Sequence, residues 1–490
     1  MERAGDRAFW NDFVARWEDK WTSALADLLR LRTVSGSADP EDEATYRREI
    51  TRGFARLAEW ARDLGFTVRN YDDRVLVIEA EGAPARPVLG IPIHLDVVPP
   101  GESWTRDPFG GQVQDGAVWG RGAQDDKGPI VQMLFGLVGA AELARRAGGG
   151  FGHTVRLIIV SEEEIGRWED IPFYFEREPP PDFAIVPDAA FPITVGEKGL
   201  VNLNVEFEWS PPLNDAFELL AGERSNVVPG RAGLRIGRAL LEGAEKLSAW
   251  PGGSSQAPAP PRVHADEDGL RVEFSGVSAH GSLPHKGHNA ATDALEQAAR
   301  LPQLQGHPAG RALAWLAQAG ADLRGKFLSI DCWHERLGQT TVNLGVLRAD
   351  RHGLRATLNI RNPIGLSCPE TVERVRREAL RLGEASSGLT VNRVGYDDDG
   401  REPIYVDPEQ FPQWIEPMRR AYAAVTGRKA ELQTIGGTTF AKAFPRAVCF
   451  GPVDEHEEKE LAHQADEHVT LAALRRNVEI YGRTIAAIAL

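Results

Sequence analysis

The sequence predicts an α/β fold with a mainly parallel sheet, interrupted by an inserted α+β domain, and three observations lead there. Pro87–Ile93 (PVLGIPI) and Val155–Val160 (VRLIIV) are nearly continuous apolar runs, the pattern of strands buried on both faces. Helical periodicity alternates with them, at Ile50–Leu64 and again from Asp126 to Arg146, as in a parallel sheet with crossover helices. After about Gly199 the pattern switches to period-two alternation, as in Val201–Glu208 (VNLNVEFE), which belongs to a sheet with one covered face.

In chain order, residues 10–65 read as two amphipathic helices, with apolar residues at helical spacing in Trp21–Leu31 and Ile50–Leu64. Strands follow at Asp73–Glu79 and Pro87–Ile93, then the helix to Arg146, the strand Val155–Val160 and a shorter strand Phe183–Val186. Leu270–Ser275, Leu354–Ile360 and Leu389–Val394 continue the alternating section. Ser248–Pro261, rich in Pro, Gly and Ser, reads as a loop or linker. From about Gln410 the chain returns to helix (Phe411–Thr426), a short apolar strand within Ala447–Gly451 and a closing helix, Leu471–Ile488. The expected division is 1–198, an insertion 199–399, and 400–490.

At roughly 100–200 residues per domain, 490 residues suit two to four domains, and 42% hydrophobic content excludes a disordered or collagenous chain. The net charge of −15 argues against nucleic acid or an anionic membrane as the main partner. Cys332, Cys368 and Cys449 are far apart with no CxxC spacing, which fits a reducing compartment and a cytoplasmic location. Met1–Trp10 is charged throughout, unlike a signal peptide, and no uncharged apolar run reaches the ~18 residues of a membrane span.

In open α/β sheets, ligands sit at the carboxyl ends of strands. His94 and Asp96 follow Pro87–Ile93, Glu162, Glu163 and Glu164 follow Val155–Val160, and Asp188 follows Phe183–Val186. Asp125 and Asp126 follow a glycine-rich turn and open a helix, and His463 stands in His463-Gln-Ala-Asp-Glu467. Imidazoles and carboxylates gathered at strand ends form the ligand set of a divalent-metal site. Each piece has an ordinary reading too: Asp125-Asp126-Lys127 as helix capping, Glu162–Glu164 as a helix-start charge run, His463 as a surface histidine. A second His-x-Asp, His264-Ala-Asp266, reads as a solvated loop. Three adjacent carboxylates at a buried strand's end repel one another unless a cation neutralises them, so the conjunction favours the metal.

His94-Leu-Asp96, Gly120-Arg-Gly-Ala-Gln-Asp125-Asp-Lys-Gly128, Glu163-Glu164-Ile-Gly166, Pro187-Asp188 and His463 together resemble the dinuclear metallopeptidases. That family includes aminoacylase, acetylornithine deacetylase, glutamate carboxypeptidase and carnosinase, and the chain is most similar to its PepV-like (Xaa-His) dipeptidases. Phe191-Pro, Gly196-Glu-Lys-Gly199, Ser225-Asn226-Val-Val-Pro229, Asn359-Ile-Arg361-Asn-Pro363 and Ile435-Gly-Gly-Thr-Thr-Phe440 extend the resemblance over almost the whole chain.

The resemblance implies two divalent ions per chain, zinc or manganese with cobalt as a further option, about 3.5 Å apart. Asp125 bridges them, His94 and Asp188 complete one, and Glu164 and His463 complete the other. It further implies a cis peptide after Asp125, Asp96 accepting the second N–H of His94, and Glu163 as general base acting on a metal-bound hydroxide. The insertion resembles a lid in which His280 stabilises the oxyanion, Asn226 and Arg361 hold a substrate carboxylate, and Gly436 and Gly437 line the pocket. Its span is near twice that of the lid in dimeric members, where a partner supplies the histidine, which implies a monomer here. The implied activity is hydrolysis of dipeptides with a free C-terminal carboxylate. An N-acyl amino acid deacylase or carboxypeptidase of the same family stays open, as does a binding protein on this fold, although no ligand and no general base is missing. A two-carboxylate glycosidase leaves His94, Asp96 and His463 without a role.

Overall fold

The computed structural model describes residues 4–37, 39–166, 168–241, 258–397 and 400–490. The Pro/Gly/Ser-rich stretch as far as residue 257, and Asp399 at the expected end of the insertion, lie outside them. Contacts divide the chain into two compact units: Met1–Val195 with Val406–Gln433 and Thr439–Leu490, and Gly196–Tyr405 with Thr434–Thr438.

The first unit is organised by a mixed sheet whose centre is parallel. Thr154–Val160, Val88–His94, Phe183–Val186 and Ala447–Cys449 are consecutive parallel neighbours. Antiparallel strands flank them, Thr67–Tyr71 and Val75–Ala80 on one side and Ile193–Glu197 on the other. Every residue of Val75–Ala80 and Phe183–Val186 is buried, as continuous apolar strands require. The antiparallel flank Thr67–Tyr71 escapes a sequence reading because its TVRNY is mostly polar and half-exposed. Helices Ala4–Leu29, Pro40–Asp63, Lys127–Arg146, Pro412–Thr426 and Leu471–Ala489 belong to this unit. Phe9, Trp10, Phe13 and Trp21 bury one face of the first helix, and the Phe135 ring packs edge-on against Trp21.

Register explains where chemistry can gather. His94 is level with Val160 on the adjacent parallel strand, so Leu95–Asp96 and Ser161–Glu164 leave the sheet side by side. A small three-stranded sheet pairs His468 with Trp119 and thereby brings the Asp125 loop beside the His463 segment.

The second unit is one antiparallel sheet of eight strands. Its order is Arg262–Asp266, Gly269–Ser275, Arg231–Gly237, Phe217–Ala221, Thr341–Ala349, Gly353–Arg361, Val201–Trp209 and Leu389–Gly395. Val201–Trp209 alternates buried and more exposed residues, and its inward side joins Leu295, Leu313 and Val375 of three helices in a single apolar core. The doubled insertion is therefore one continuous sheet rather than two separate modules, joined where Leu219–Ala221 pairs with Leu347–Ala349. His264 lies on the edge strand Arg262–Asp266, exposed, and not in the loop that its sequence suggests. Among the described residues no disulfide links the cysteines, and no helix is long and apolar enough to cross a membrane.

Candidate metal centre

His94 closes its strand fully buried, and its Nδ1–H donates to the backbone carbonyl of Asp96 at 2.9 Å. That bond turns Nε2 toward Asp125, whose Oδ1 lies 2.8 Å away. The other oxygen of Asp125, Oδ2, stands 3.0 Å from His463 Nε2, which is also 3.2 Å from Glu164 Oε1. One ligand atom each from His94, Asp125 and Glu164 fall within 4.8 Å of one another. Asp188 leaves the neighbouring parallel strand, and Asp125 and Glu163 are the charges that act on it most. The Asp125–Asp126 peptide is cis, and His463 takes a left-handed backbone conformation with φ +63°.

Asp96 does more than the resemblance implies. Its Oδ1 stands 3.5 Å from His94 Nδ1, farther than its own carbonyl. Its carboxylate accepts the amides of Glu163 at 3.2 Å and Glu164 at 3.0 Å, and the Ser35 hydroxyl at 2.9 Å. Asp170, which has no sequence motif around it, accepts the amides of Ser161 at 2.8 Å and Glu162 at 3.0 Å through one oxygen. Two buried carboxylates thus grip four consecutive amides and set the direction of the glutamate pair. The capping reading of Asp126 does not hold: it occupies the N-cap position without a capping bond, and its Oδ1 has no partner among the described residues. Lys127 is buried, donates to the Leu31 carbonyl at 2.7 Å, and is pushed down by burial to about 7.

Burial, joined by the charges of Glu164, Asp96 and Asp125, pushes the Glu163 carboxyl up to about 8. Burial and neighbouring carboxylates also raise Asp126 and Asp188 well above the ordinary range. For Asp125 burial acts upward, but hydrogen bonds from His463 and His94 outweigh it and hold the carboxyl far down. Bonds to Asp125 and Glu164 lift His463 to about 10. So dense a nest of buried carboxyls is stabilised by cations, and its imidazole–carboxylate donors suit zinc, manganese or cobalt.

In the second unit, Arg361 ends the strand Gly353–Arg361 with 4% of its surface exposed. Its Nε donates to Asn359 Oδ1 at 3.0 Å, and Nη1 to the Gly436 carbonyl at 3.0 Å and Thr438 Oγ1 at 3.3 Å. Among the described residues no carboxylate pairs with it; burial lowers it to about 10, and the charge of Glu197 only partly offsets that. His280 Nδ1 accepts the Ser282 amide at 3.2 Å and lies 2.7 Å from Ser282 Oγ, so Nε2 carries the proton. Burial, then Arg361, keeps the His280 imidazole neutral. Asn226 is exposed on the segment whose Val227 bridges His280, and its carbonyl accepts the Gly281 amide at 2.6 Å. Gly436 is small for a local reason, since a Cβ there would meet Ser282 Cβ at 2.8 Å. Gly437 would meet only its neighbour Ile435, at 3.2 Å. Ser282, Asn359, Asp170 and Glu467 are polar residues to which sequence reasoning gave no role: Ser282 and Asn359 stand two positions from His280 and Arg361, and Asn359 and Glu467 lie inside segments quoted for other residues, whereas Asp170 has no motif around it.

Comparison with known proteins gives the family. A putative dipeptidase of Bacillus subtilis, YtjP, is 28% identical over 98% of this chain and 99% of its own. A Beta-Ala-Xaa dipeptidase of Lactobacillus delbrueckii is 29% identical over 96% of both chains. The structure of human carnosine dipeptidase 1 shares the fold with a TM-score of 0.59, at 14% identity, covering 100% of this chain and 99% of that one. Residues 90–487 match the peptidase family M20/M25/M40, and with its whole cluster of imidazoles and carboxylates inside that span, this chain belongs to that family.

Proposed function

We propose that the chain is a dipeptidase acting on dipeptides with a free C-terminal carboxylate, with two divalent ions held by His94, Asp125, Glu164, Asp188 and His463. The observation that carries this reading is the division of Asp125, whose two oxygens face two different imidazoles at 2.8 and 3.0 Å. The dipeptidase names of the Bacillus and Lactobacillus relatives support the substrate class. Ions bound there would polarise the scissile carbonyl and increase the acidity of water.

Glu163 is the proton carrier: it takes a proton from the attacking water and delivers it to the departing amine. Asp96 fixes the main chain of Glu163 and Glu164 together, so that one carboxylate faces the water while its neighbour stays a ligand. His280 donates Nε2–H to the oxygen on which charge develops, a role that its neutral tautomer suits. Arg361, a buried guanidinium without an ion-pair partner among the described residues, takes the substrate carboxylate, assisted by Asn226. Gly436 aims that guanidinium through its carbonyl, and Gly437, the next residue, lines the pocket with it. The chain works as a monomer in the cytoplasm, a reading supported by an insertion long enough to form one eight-stranded sheet by itself and by cysteines far apart with no CxxC spacing.

The test uses chelator-treated protein reloaded with zinc or manganese, comparing a free dipeptide, its N-acetyl form and its C-terminal amide. Metal-dependent cleavage of the free dipeptide, far faster than that of the other two, is expected. Preference for the acetylated form makes the enzyme a deacylase instead, and turnover without metal overturns the metal reading.

A further inference from the structure

Glu467 lies four residues past His463 and is fully buried. Its Oε1 accepts three main-chain amides of the loop that ends in Asp125: Gly122 at 3.2 Å, Gln124 at 2.8 Å and Asp125 itself at 3.3 Å. Its Oε2 accepts from Arg121 Nη1 at 2.6 Å, and Arg121 is 1% exposed. The same Nη1 reaches the carbonyl of Gln464, next to His463, at 3.2 Å, while Nη2 reaches the Pro100 carbonyl at 3.2 Å. Gln124 adds a parallel tie, accepting the Leu461 amide at 2.7 Å and donating to the carbonyls of Lys459 and His468 at 3.2 Å.

Such a construction is more than the fold needs, because the small sheet already joins the two segments through His468 and Trp119. What the carboxylate adds is direction. Three amide dipoles converging on one oxygen leave the 122–125 backbone a single path, and the paired guanidinium ties that path to the residue beside His463.

We propose that Glu467 is a positioning residue that, through Arg121, sets Asp125 and His463 in mutual register and so fixes how tightly the second of two divalent ions is held. The proposal rests on the metal reading given above. Glu467 touches neither substrate nor reacting atoms; it acts through Asp125 and His463. A glutamine offers one oxygen to the amides but turns an NH2 toward Arg121, replacing an attraction by two opposed donors.

The experiment titrates metal-depleted full-length wild type, E467Q and E467D with Mn(II) and Zn(II) by calorimetry, with thermal unfolding of each. E79Q serves as a benchmark, since Glu79 is a buried carboxylate paired with Arg69 and Arg156 and takes no part in the metal centre. Wild type is expected to bind two ions. E467Q is expected to lose roughly 10- to 100-fold in affinity for one of them, with kcat recovering as Mn(II) is raised and KM unchanged. E467D, shorter by one methylene but still charged, keeps the fold if E467Q does not, and is expected to show the same selective loss. Wild-type affinity for both ions in E467Q or E467D overturns the proposal, whatever happens to Tm. An equal loss in E79Q also overturns it, because general loosening then explains the effect. Fewer than two ions on the wild type overturns the metal reading itself, and the proposal with it.

Discussion

Replacing Arg361 by methionine separates recognition from stability, and the structure sets both magnitudes. The guanidinium is 4% exposed and burial lowers it from its ordinary value to about 10. At 1.36 kcal/mol per tenfold change in proton affinity, that burial costs the fold about 3 kcal/mol. The cost is complete at neutral pH, because a cation whose folded value is depressed carries its full penalty below that value. Against it stand three hydrogen bonds donated by the charged guanidinium, to Asn359, Gly436 and Thr438, worth together about 5–9 kcal/mol. The bonds exceed the penalty, so R361M should lose about 2–6 kcal/mol of stability in urea unfolding. A separate loss appears with substrate: removing one side of a desolvated carboxylate–guanidinium pair costs about 3 kcal/mol, roughly a hundredfold in kcat/KM. That loss should be seen for a free dipeptide and not for its C-terminal amide. Equal losses for acid and amide would refute the assignment. A destabilisation below about 1 kcal/mol would refute the bookkeeping.

Three further outcomes are expected. E163Q keeps both metals by calorimetry and loses about 10²–10⁴-fold in kcat, and near-normal turnover would remove Glu163 as the proton carrier. H463A leaves one ion tightly held and weakens the other by more than about tenfold, since even loss of a partner outside the ligand set costs roughly 10- to 100-fold, whereas two unaltered sites would exclude His463 as a ligand. Asp170 is raised by burial to about 7, so the folded state prefers its protonated form, and wild type loses stability as pH rises from the ordinary aspartate range through 7. D170N lacks that loss and keeps an oxygen for the Ser161 and Glu162 amides. Its stability relative to wild type should therefore climb by up to about 4 kcal/mol between roughly pH 4 and 8, and a pH-independent difference in urea unfolding would contradict this.

How far a sequence can be read here follows from the reach of the forces involved. Val88–His94 and Thr154–Val160 are legible because burial on both faces demands continuous apolar runs, and that burial is a local property of composition. Their polar ends are legible for the same reason: an imidazole or a carboxylate closing a buried strand needs a purpose, so His94, Asp96, Glu163, Glu164 and Asp188 stand out. Strands such as Arg231–Gly237, with exposed residues at every other place and two glycines, carry no comparable mark.

The sequence by itself determined the α/β class, the change to a one-sided sheet after Gly199 and the residue types of a metal centre. Tertiary structure alone decided how those residues are held: that Asp96 grips the glutamate amides, that Asp170 completes the grip, and that Glu467 joins the Asp125 loop to the His463 segment. It also decided that Arg361 is buried without a carboxylate partner among the described residues, the property that suits it to an anion. The physical reason is range. Periodicity and burial pattern act between neighbours along the chain, whereas a hydrogen bond such as Glu467 to Gln124 joins residues 343 positions apart and leaves no trace in either local sequence.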